Sequence, residues 1–302
     1  MIAFITSLRH PDNAVDYGEV ERLLQRSLRS VTSQTGGDFV VIVVGSRAPS
    51  FRLPPRVHFV QVDFPAPPEP TVREERWEVV IRDKGTKLAV GLLAARAFSP
   101  DFVMMFDADD FVHRGLSEWV ARQPREANGW FVSQGWMYSG ARGAAKPIRD
   151  LHRVCGTCYI VPWRMYEVPD GIGTDASQEE LIAAFGERLR WLMGKHNGSD
   201  RWLADHGNPL EELPFDGAVY HVDTGENHSR KTLSEPLPMM PRAVAARFSI
   251  RHRHPWPVRW WRSSGPGAYP RFGEFLRHAD SLRFPRRVFT SLRRRLREWT
   301  ND

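Results

Sequence analysis

Short apolar runs alternate with amphipathic segments over the first hundred residues. The uninterrupted runs predict buried strands, and the amphipathic segments predict helices because their apolar residues recur every three or four positions. The predicted strands cover residues 2–7, 39–44, 57–62 and 102–106. The predicted helices cover residues 17–33 and 87–97. Strands that alternate with helices in this way indicate βαβ units, a mostly parallel sheet and the α/β fold class.

The second half of the chain has a less regular pattern. Strands are predicted over residues 130–137, 155–161 and 218–222. Ser177 and Glu180 have the spacing of a capping box. They predict a helix with an apolar side formed by Leu181, Phe185, Leu189 and Leu192. Past residue 235 the chain becomes rich in Pro, Trp and Arg, so we expect an α/β body over 1–235 and a helical basic extension over 236–302.

Charge is divided unevenly between these two parts. The 302 residues carry a formal net charge of +6. Residues 242–302 contain 15 arginines, no lysine and 4 acidic residues, which gives this segment +11 and leaves −5 for the rest. The basicity therefore belongs to the extension, and we do not expect nucleic acid as the main partner because the acidic body would repel it.

Other features of the composition bound the class of protein. Two cysteines in 302 residues exclude a disulfide scaffold and fit a reducing compartment. The longest apolar run, residues 39–45, is too short to span a bilayer. The first residues lack the basic and apolar regions of a signal peptide. We expect a cytoplasmic protein.

Three carboxylates follow directly after the apolar run 102–106. They belong to Asp107, Asp109 and Asp110. Buried carboxylates side by side repel one another and lose their hydration. A hard divalent cation at a sheet edge resolves both problems, because Mg²⁺ and Mn²⁺ bind one or two carboxylates together with phosphate oxygens. The alternative is a solvated Asp-rich turn that caps the next helix.

This arrangement resembles the GT-A glycosyltransferases, glycosyltransferase family 2 in particular. Their DxD motif follows an apolar strand, as Asp107-Ala108-Asp109 does here, and the resemblance includes Phe4-Ile5-Thr6-Ser7 and residues 84–97. It implies a GT-A (Rossmann-like) fold with a nucleotide-donor half at 1–110 and an acceptor half at 111–235. It also implies Mn²⁺- or Mg²⁺-dependent, inverting hexosyl transfer from a UDP- or GDP-sugar type donor to a glycan or glycolipid in bacterial cell-surface polysaccharide synthesis.

The resemblance assigns roles to particular residues. Asp107 would contact the ribose and the cation, and Asp109 would ligate the cation. His221 and His228 are further candidate metal ligands. Asp200 is the candidate general base, with Asp175 as the second choice. The alternative for Asp200 is that it caps a helix over residues 201–206.

Candidate donor-binding residues lie at the strand ends, because ligands of parallel sheets sit outside the carboxyl ends of the strands. At the strand ends they are Thr6, Ser7, Arg9, Gly45 and Asp107. The resemblance adds Arg82, Lys84 and Lys87, which open the helix before the acidic strand. Gly85 would let the backbone approach a phosphate at a helix start, and an ordinary solvated helix start is the alternative. Gly156 and Thr157 are candidates for the acceptor pocket. They lie within Cys155-Gly-Thr-Cys158, where packing explains the cysteines better than a redox or zinc role does.

Two other classes of function remain open. A sugar nucleotidyltransferase also uses acidic residues and a cation on an α/β sheet. A non-catalytic membrane or nucleic-acid binder would act through the basic extension, where Trp256, Trp260 and Trp261 stand among arginines. An apolar stripe in the extension is formed by Val288, Leu292, Leu296 and Trp299. We expect residues 247–302 to attach peripherally to an anionic membrane, the alternative being that the stripe docks onto the α/β body.

Overall fold

The computed structural model describes residues 1–68, 73–195, 197–226, 231–252 and 254–269. The strands are β1 Ile2–Ser7, β2 Phe39–Gly45, β3 Val57–Gln61, β4 Phe102–Met105, β5 Phe111–Val112, β6 Trp130–Phe131, β7 Gly135–Ser139, β8 Ala144–Ile148, β9 Tyr159–Pro162, β10 Glu211–Glu212 and β11 Ala218–Val222. The helices are α1 Tyr17–Val31, α2 Arg73–Ala95, α3 Leu116–Ala121, α4 Gln178–Phe185, α5 Ser199–Asp205, α6 Arg242–Arg247 and α7 Trp256–Ser263.

Seven strands form the central sheet, in the order β10-β6-β9-β4-β1-β2-β3. Strands β4, β1, β2 and β3 are parallel, whereas β9 runs antiparallel to both β4 and β6. The sequences of β1, β2 and β4 are apolar almost throughout because these strands are buried on both faces. Helices flank this sheet, so the predicted α/β class with a mostly parallel sheet is confirmed.

The order of the parallel strands creates a crevice beside β1. The chain proceeds outward from β1 to β2 and β3, and α2 then carries it back to β4 on the other side of β1. At such a switch point, the loops after β1 and β4 diverge and leave room for a ligand at the carboxyl ends of the strands. Asp107 follows β4 at this point.

A second sheet, in the order β5-β11-β7-β8, has its own apolar core. Phe111 and Val219 from this sheet pack with Met240, Val244 and Phe248 from the segment around α6. The predicted boundary between residues 235 and 236 therefore precedes a segment that packs against the sheet. Among the described residues, no helix is both long and apolar enough to cross a membrane.

Several predicted elements differ from those in the structure. Helix α2 begins at residue 73 and not at 87, and the predicted strand 130–137 is divided into β6 and β7. Strand β9 begins at 159, so the residues from 155 precede it. The capping box of Ser177 and Glu180 is confirmed, but α4 ends at Phe185. Leu189 and Leu192 belong instead to a separate π-helical turn, Leu189–Gly194.

Candidate active site

The acidic residues form a tight turn between β4 and β5. The sheet continues one residue past β4, because the Phe106 N–H still donates to the Ile5 carbonyl at 3.0 Å. The Asp110 N–H then donates to the Asp107 carbonyl at 3.0 Å, which closes the turn. Asp107 and Asp109 are partly exposed at the edge of the sheet, whereas Asp110 is fully buried.

Asp110 anchors this turn to two other parts of the chain. Its Oδ1 accepts the His221 N–H of β11 at 2.9 Å. Its Oδ2 accepts the Thr157 hydroxyl at 2.6 Å and the Cys155 thiol at 3.1 Å. Burial, together with the neighbouring Cys155 and Asp109, raises the pKa of Asp110 well above its usual range. The third carboxylate is therefore internal, and the cluster is not simply a solvated Asp-rich turn.

Asp107 is held from three directions. Its N–H donates to the Thr157 hydroxyl at 3.0 Å, and its carboxylate pairs with the Lys84 ammonium from α2. Gly156 lies so close that a Cβ there would be 2.6 Å from Asp107 Oδ2. The two predicted acceptor residues, Gly156 and Thr157, therefore lie next to Asp107.

Asp109 lies where negative charge is costly. Burial and the charge of Asp107 raise the pKa of its carboxyl to about 7, while Lys84 and Arg9 act more weakly in the opposite direction. Lys84 comes from α2 and Arg9 from the loop after β1. Positive charge from two other parts of the chain therefore acts on the acidic turn.

His221, one of the predicted metal ligands, uses both ring nitrogens in contacts within the protein. Its Nδ1 lies 3.2 Å from the Asp109 carbonyl, and its Nε2 accepts the Gly140 N–H at 3.3 Å. The ring is buried and stacks on Tyr138. Burial lowers its pKa to about 4, so the ring is neutral and Nδ1 donates. Both nitrogens are thus engaged, so His221 holds the turn in place, and these contacts do not support its predicted role as a metal ligand.

The donor candidates after β1 and β2 lie at the same edge of the sheet. Thr6 is buried, and its hydroxyl has no hydrogen-bond partner among the described residues. Ser7 is half-buried. Arg9 donates to Glu226 at 2.9 Å, which ties its loop to the segment after β11. At the end of β2, a Cβ on Gly45 would meet Leu8 Cβ at 3.1 Å.

Glu226 holds the loop after β1 in place, a role that the sequence pattern did not predict. Besides the Arg9 guanidinium, its carboxylate accepts the backbone N–H of Asp16 at 2.7 Å. The sequence pattern marks the region after β11 only as a polar segment next to His221. His228 lies in 227–230, outside the described residues, and its predicted metal role stays a prediction.

Helix α2 places only one of its three predicted donor residues at the acidic turn. Lys84 reaches Asp107, but Lys87 is fully buried and donates to the Leu8 carbonyl at 3.0 Å and to Asp83 at 2.8 Å. Lys87 therefore fastens α2 to the end of β1, and its burial does not support the predicted direct contact with a donor. Arg82 is exposed and pairs with Glu179 of α4.

Gly85 has a packing role and no phosphate-binding role. It lies inside α2 and not at a helix start. A Cβ there would lie 2.8 Å from Leu189 Cδ2 and 3.2 Å from the Leu189 carbonyl oxygen. The glycine lets the π-helical turn pack closely against α2, so the predicted approach to a phosphate is wrong.

A small pocket adjoins the acidic turn. Two of the five lysines of the chain, Lys84 and Lys195, line it together with the polar side chains of Tyr159 and Ser199. Its other lining residues are Met105, Phe106, Gly156, Tyr166, Leu192 and Met193. Sequence reasoning missed Lys195 and Tyr159, although the scarcity of lysine was a signal that could have pointed to Lys195.

Asp200 lies next to this pocket. The Tyr159 hydroxyl donates to Asp200 Oδ1 at 3.3 Å. Helix α5 begins at Ser199 after Gly198, whose φ is +95°, so Asp200 lies in the first turn and not at the cap. The alternative that Asp200 caps a helix is therefore not supported. Asp175, the second candidate base, is exposed in the loop before α4, and no described contact joins it to the turn.

The two cysteines are free and buried. The prediction that they serve packing is confirmed, although they precede β9 and do not lie within a strand. Burial raises the pKa of both thiols, which keeps them protonated and unreactive.

Comparison with known proteins gives similarity at the level of architecture only. No protein-family model matches the chain, and no curated protein matches it. Among solved structures, S. aureus TarS 1–349 in complex with UDP matches with 12% identity and a TM-score of 0.41, covering 73% of this chain and 60% of TarS. The complex of TarS 1–349 with UDP-GlcNAc matches with 12% identity and a TM-score of 0.40, covering 92% and 72%.

TarS 1–349 without a named ligand matches with 11% identity and a TM-score of 0.39. The chain spans 60% of the length of that structure. Similarity at this level does not define an activity.

Proposed function

We propose that this protein is a glycosyltransferase that moves a sugar from a nucleotide-diphosphate donor to a hydroxyl of a glycan or glycolipid. The observation that carries the proposal is the position of Asp107 and Asp109. They follow β4 at the switch point of a parallel sheet, beside the loop after β1. Nucleotides bind to α/β sheets at this place. The DxD spacing supports the same activity.

The two partly exposed carboxylates fit a divalent cation. Among the described residues, no three His, Cys, Asp or Glu side chains surround a common point. Mg²⁺ and Mn²⁺ do not need such a cage, because one or two carboxylates suffice when substrate phosphates and water complete the coordination. Asp107 and Asp109 would hold the cation. When bound, it would stabilise the negative charge that develops on the diphosphate leaving group.

Side chains of the chain itself bring positive charge to the same place. Lys84 pairs with Asp107, and Arg9 lies in the loop after β1. Both lower the pKa of Asp109, which indicates that their charges reach the acidic turn. A donor diphosphate would be attracted to these cations, and Glu226 keeps Arg9 in position.

Asp200 is our candidate for the general base. The hydrogen bond from Tyr159 orients one carboxylate oxygen, and the other can accept the proton of the acceptor hydroxyl. Tyr159, which holds Asp200, lines the same pocket as Lys84, and Lys84 in turn pairs with Asp107. A single base that activates the attacking hydroxyl supports transfer with inversion of the anomeric centre.

The test is turnover of nucleotide sugars by the full chain. A panel of UDP- and GDP-hexoses is incubated with Mn²⁺, with Mg²⁺ or with EDTA, and the released nucleotide is identified by chromatography. The proposal predicts release of a nucleoside diphosphate from one donor, dependent on the cation. Cleavage to nucleoside triphosphate and sugar phosphate in the presence of pyrophosphate would instead identify a nucleotidyltransferase. Folded protein that turns over no donor would contradict the proposal.

A further inference from the structure

Helix α7 buries one side and exposes two tryptophans on the other. Val258, Arg259 and Ser263 are buried. Trp256 and Trp260 are 54% and 44% exposed. These two residues are one helical turn apart and therefore share a face of the helix, which we name the Trp face. Burial of one side shows that α7 packs on the fold through the side opposite its two exposed indoles.

Hydrogen bonds hold helix α7 to the turn between β7 and β8 and to the segment around Leu237. The Arg142 guanidinium, from the turn between β7 and β8, donates to the Arg262 carbonyl at 3.1 Å. The Leu237 N–H donates to the Ser263 carbonyl at 2.9 Å, and the Ser264 hydroxyl donates back to the Leu237 carbonyl at 2.9 Å. These bonds fix both the position and the rotation of α7. Because the backbone of α7 is already ordered, a partner that binds the two indoles would not have to order it.

Positive charge surrounds this helix in the sequence. Arg242 and Arg251 are exposed before it. Residues 270–302, which follow the described part of the chain, contain nine arginines and four acidic residues. Residues 1–241 carry −5 in contrast. Cationic and aromatic character is thus concentrated in one part of an otherwise acidic protein.

We infer that α7 docks on an anionic lipid bilayer, with Trp256 and Trp260 in the headgroup region. Tryptophan favours this region because its ring is apolar and its N–H is polar. Arginines near an anionic surface add coulombic attraction that decreases with salt. A nucleic acid would supply phosphates but offers no apolar layer for the two indoles. The surface therefore fits lipid better than nucleic acid.

The inference narrows the membrane-binding segment predicted from the sequence. Val244, Phe248 and Ile250 are buried against the second sheet, so the residues of and after α6 belong to the core. Of the described tryptophans in that segment, Trp256 and Trp260 are the exposed ones, so the Trp face is our candidate contact with a bilayer. This surface does not depend on the proposed activity, and either conclusion can fail without the other.

The test is co-sedimentation of the full chain with vesicles. Sucrose-loaded vesicles of phosphatidylcholine alone are compared with vesicles that contain phosphatidylglycerol in equal part, at low and at high salt. The double variant Trp256→Ala/Trp260→Ala removes the Trp face. Trp77→Ala is the matched control, because Trp77 is 47% exposed on α2 in a different part of the protein. Thermal unfolding of each variant verifies that it is folded.

We expect wild type and Trp77→Ala to bind the anionic vesicles and to be released by high salt. Loss of two half-exposed indoles should weaken the partition coefficient of the double variant by about 10-fold or more. Equal binding by the double variant and wild type would overturn the inference. Equal binding to neutral and anionic vesicles, or binding to duplex DNA and not to vesicles at low salt, would overturn it as well.

Discussion

Gly156 is the position at which a single methyl group should disturb the candidate site most selectively. Its φ does not require glycine, so alanine introduces no backbone strain. The new Cβ would lie 2.6 Å from Asp107 Oδ2 and 3.1 Å from Asp107 Cγ. An ordinary contact begins near 3.4 Å, so the carboxylate or the segment around Gly156 must move by about 0.8 Å. That movement also disturbs the pair between Asp107 and Lys84.

A displacement of about 1 Å in a catalytic group can reduce the rate by about 100-fold. We therefore expect Gly156→Ala to lower kcat/KM for the nucleotide-sugar donor by between about 10-fold and about 100-fold. Overpacking should lower the free energy of unfolding by about 1–3 kcal/mol, measured by urea denaturation. The matched control is Gly36→Ala, where the new Cβ would lie 3.3 Å from the Glu118 side chain in a partly buried bend. Wild-type kcat/KM in folded Gly156→Ala would refute the reasoning that Asp107 must keep its position.

Four other substitutions or conditions test separate parts of the account. Asp109→Asn should lower turnover by at least about 100-fold without loss of thermal stability, and near-normal turnover in saturating Mn²⁺ would remove Asp109 from the metal site. Asp200→Asn should lower kcat while donor KM stays the same, whereas a preserved kcat would exclude Asp200 as the base. Lys87→Met should lower the free energy of unfolding by about 3 kcal/mol because it leaves Asp83 without its buried partner, and an unchanged urea midpoint would contradict this. Burial lowers the pKa of His113 to about 4 in the folded state, below the 6.5 of an unfolded chain. The unfolded state therefore binds the proton more tightly, so stability should fall as the pH decreases from 6.5 towards 4, and His113→Gln should show a shallower decrease in urea denaturation than wild type.

Local sequence predicts an element well where one physical signal dominates. The bounds of β1 and β11 agree with the prediction because each is a short, mostly apolar run that the sheet buries almost throughout. The start of α2 was missed because residues 73–86 are mostly polar and charged. The end of that stretch also packs against another element. A Cβ on Gly194 would lie 2.4 Å from the Ile81 carbonyl oxygen, which shows how closely the π-helical turn approaches α2.

Residue type and order along the chain do not determine which way a side chain faces. Lys84 and Lys87 are three residues apart on one helix, yet Lys84 reaches the acidic turn and Lys87 is buried beneath the end of β1. His221 has the chemistry of a metal ligand, but the Asp109 carbonyl and the Gly140 N–H occupy its ring. Such long-range backbone partners cannot be inferred from a single sequence. The acidic turn could be predicted because strand and carboxylates are adjacent in the chain.

The most direct test of the central claim is equilibrium binding of nucleotide to the acidic turn. Isothermal titration calorimetry measures binding of UDP and of GDP to the full chain with Mn²⁺ or with EDTA, for wild type and for Asp109→Asn. The account predicts that wild type binds one of the two nucleotides only when the cation is present, and that Asp109→Asn loses this binding while its thermal unfolding is unchanged. Binding of equal strength in EDTA, or by Asp109→Asn, would contradict it.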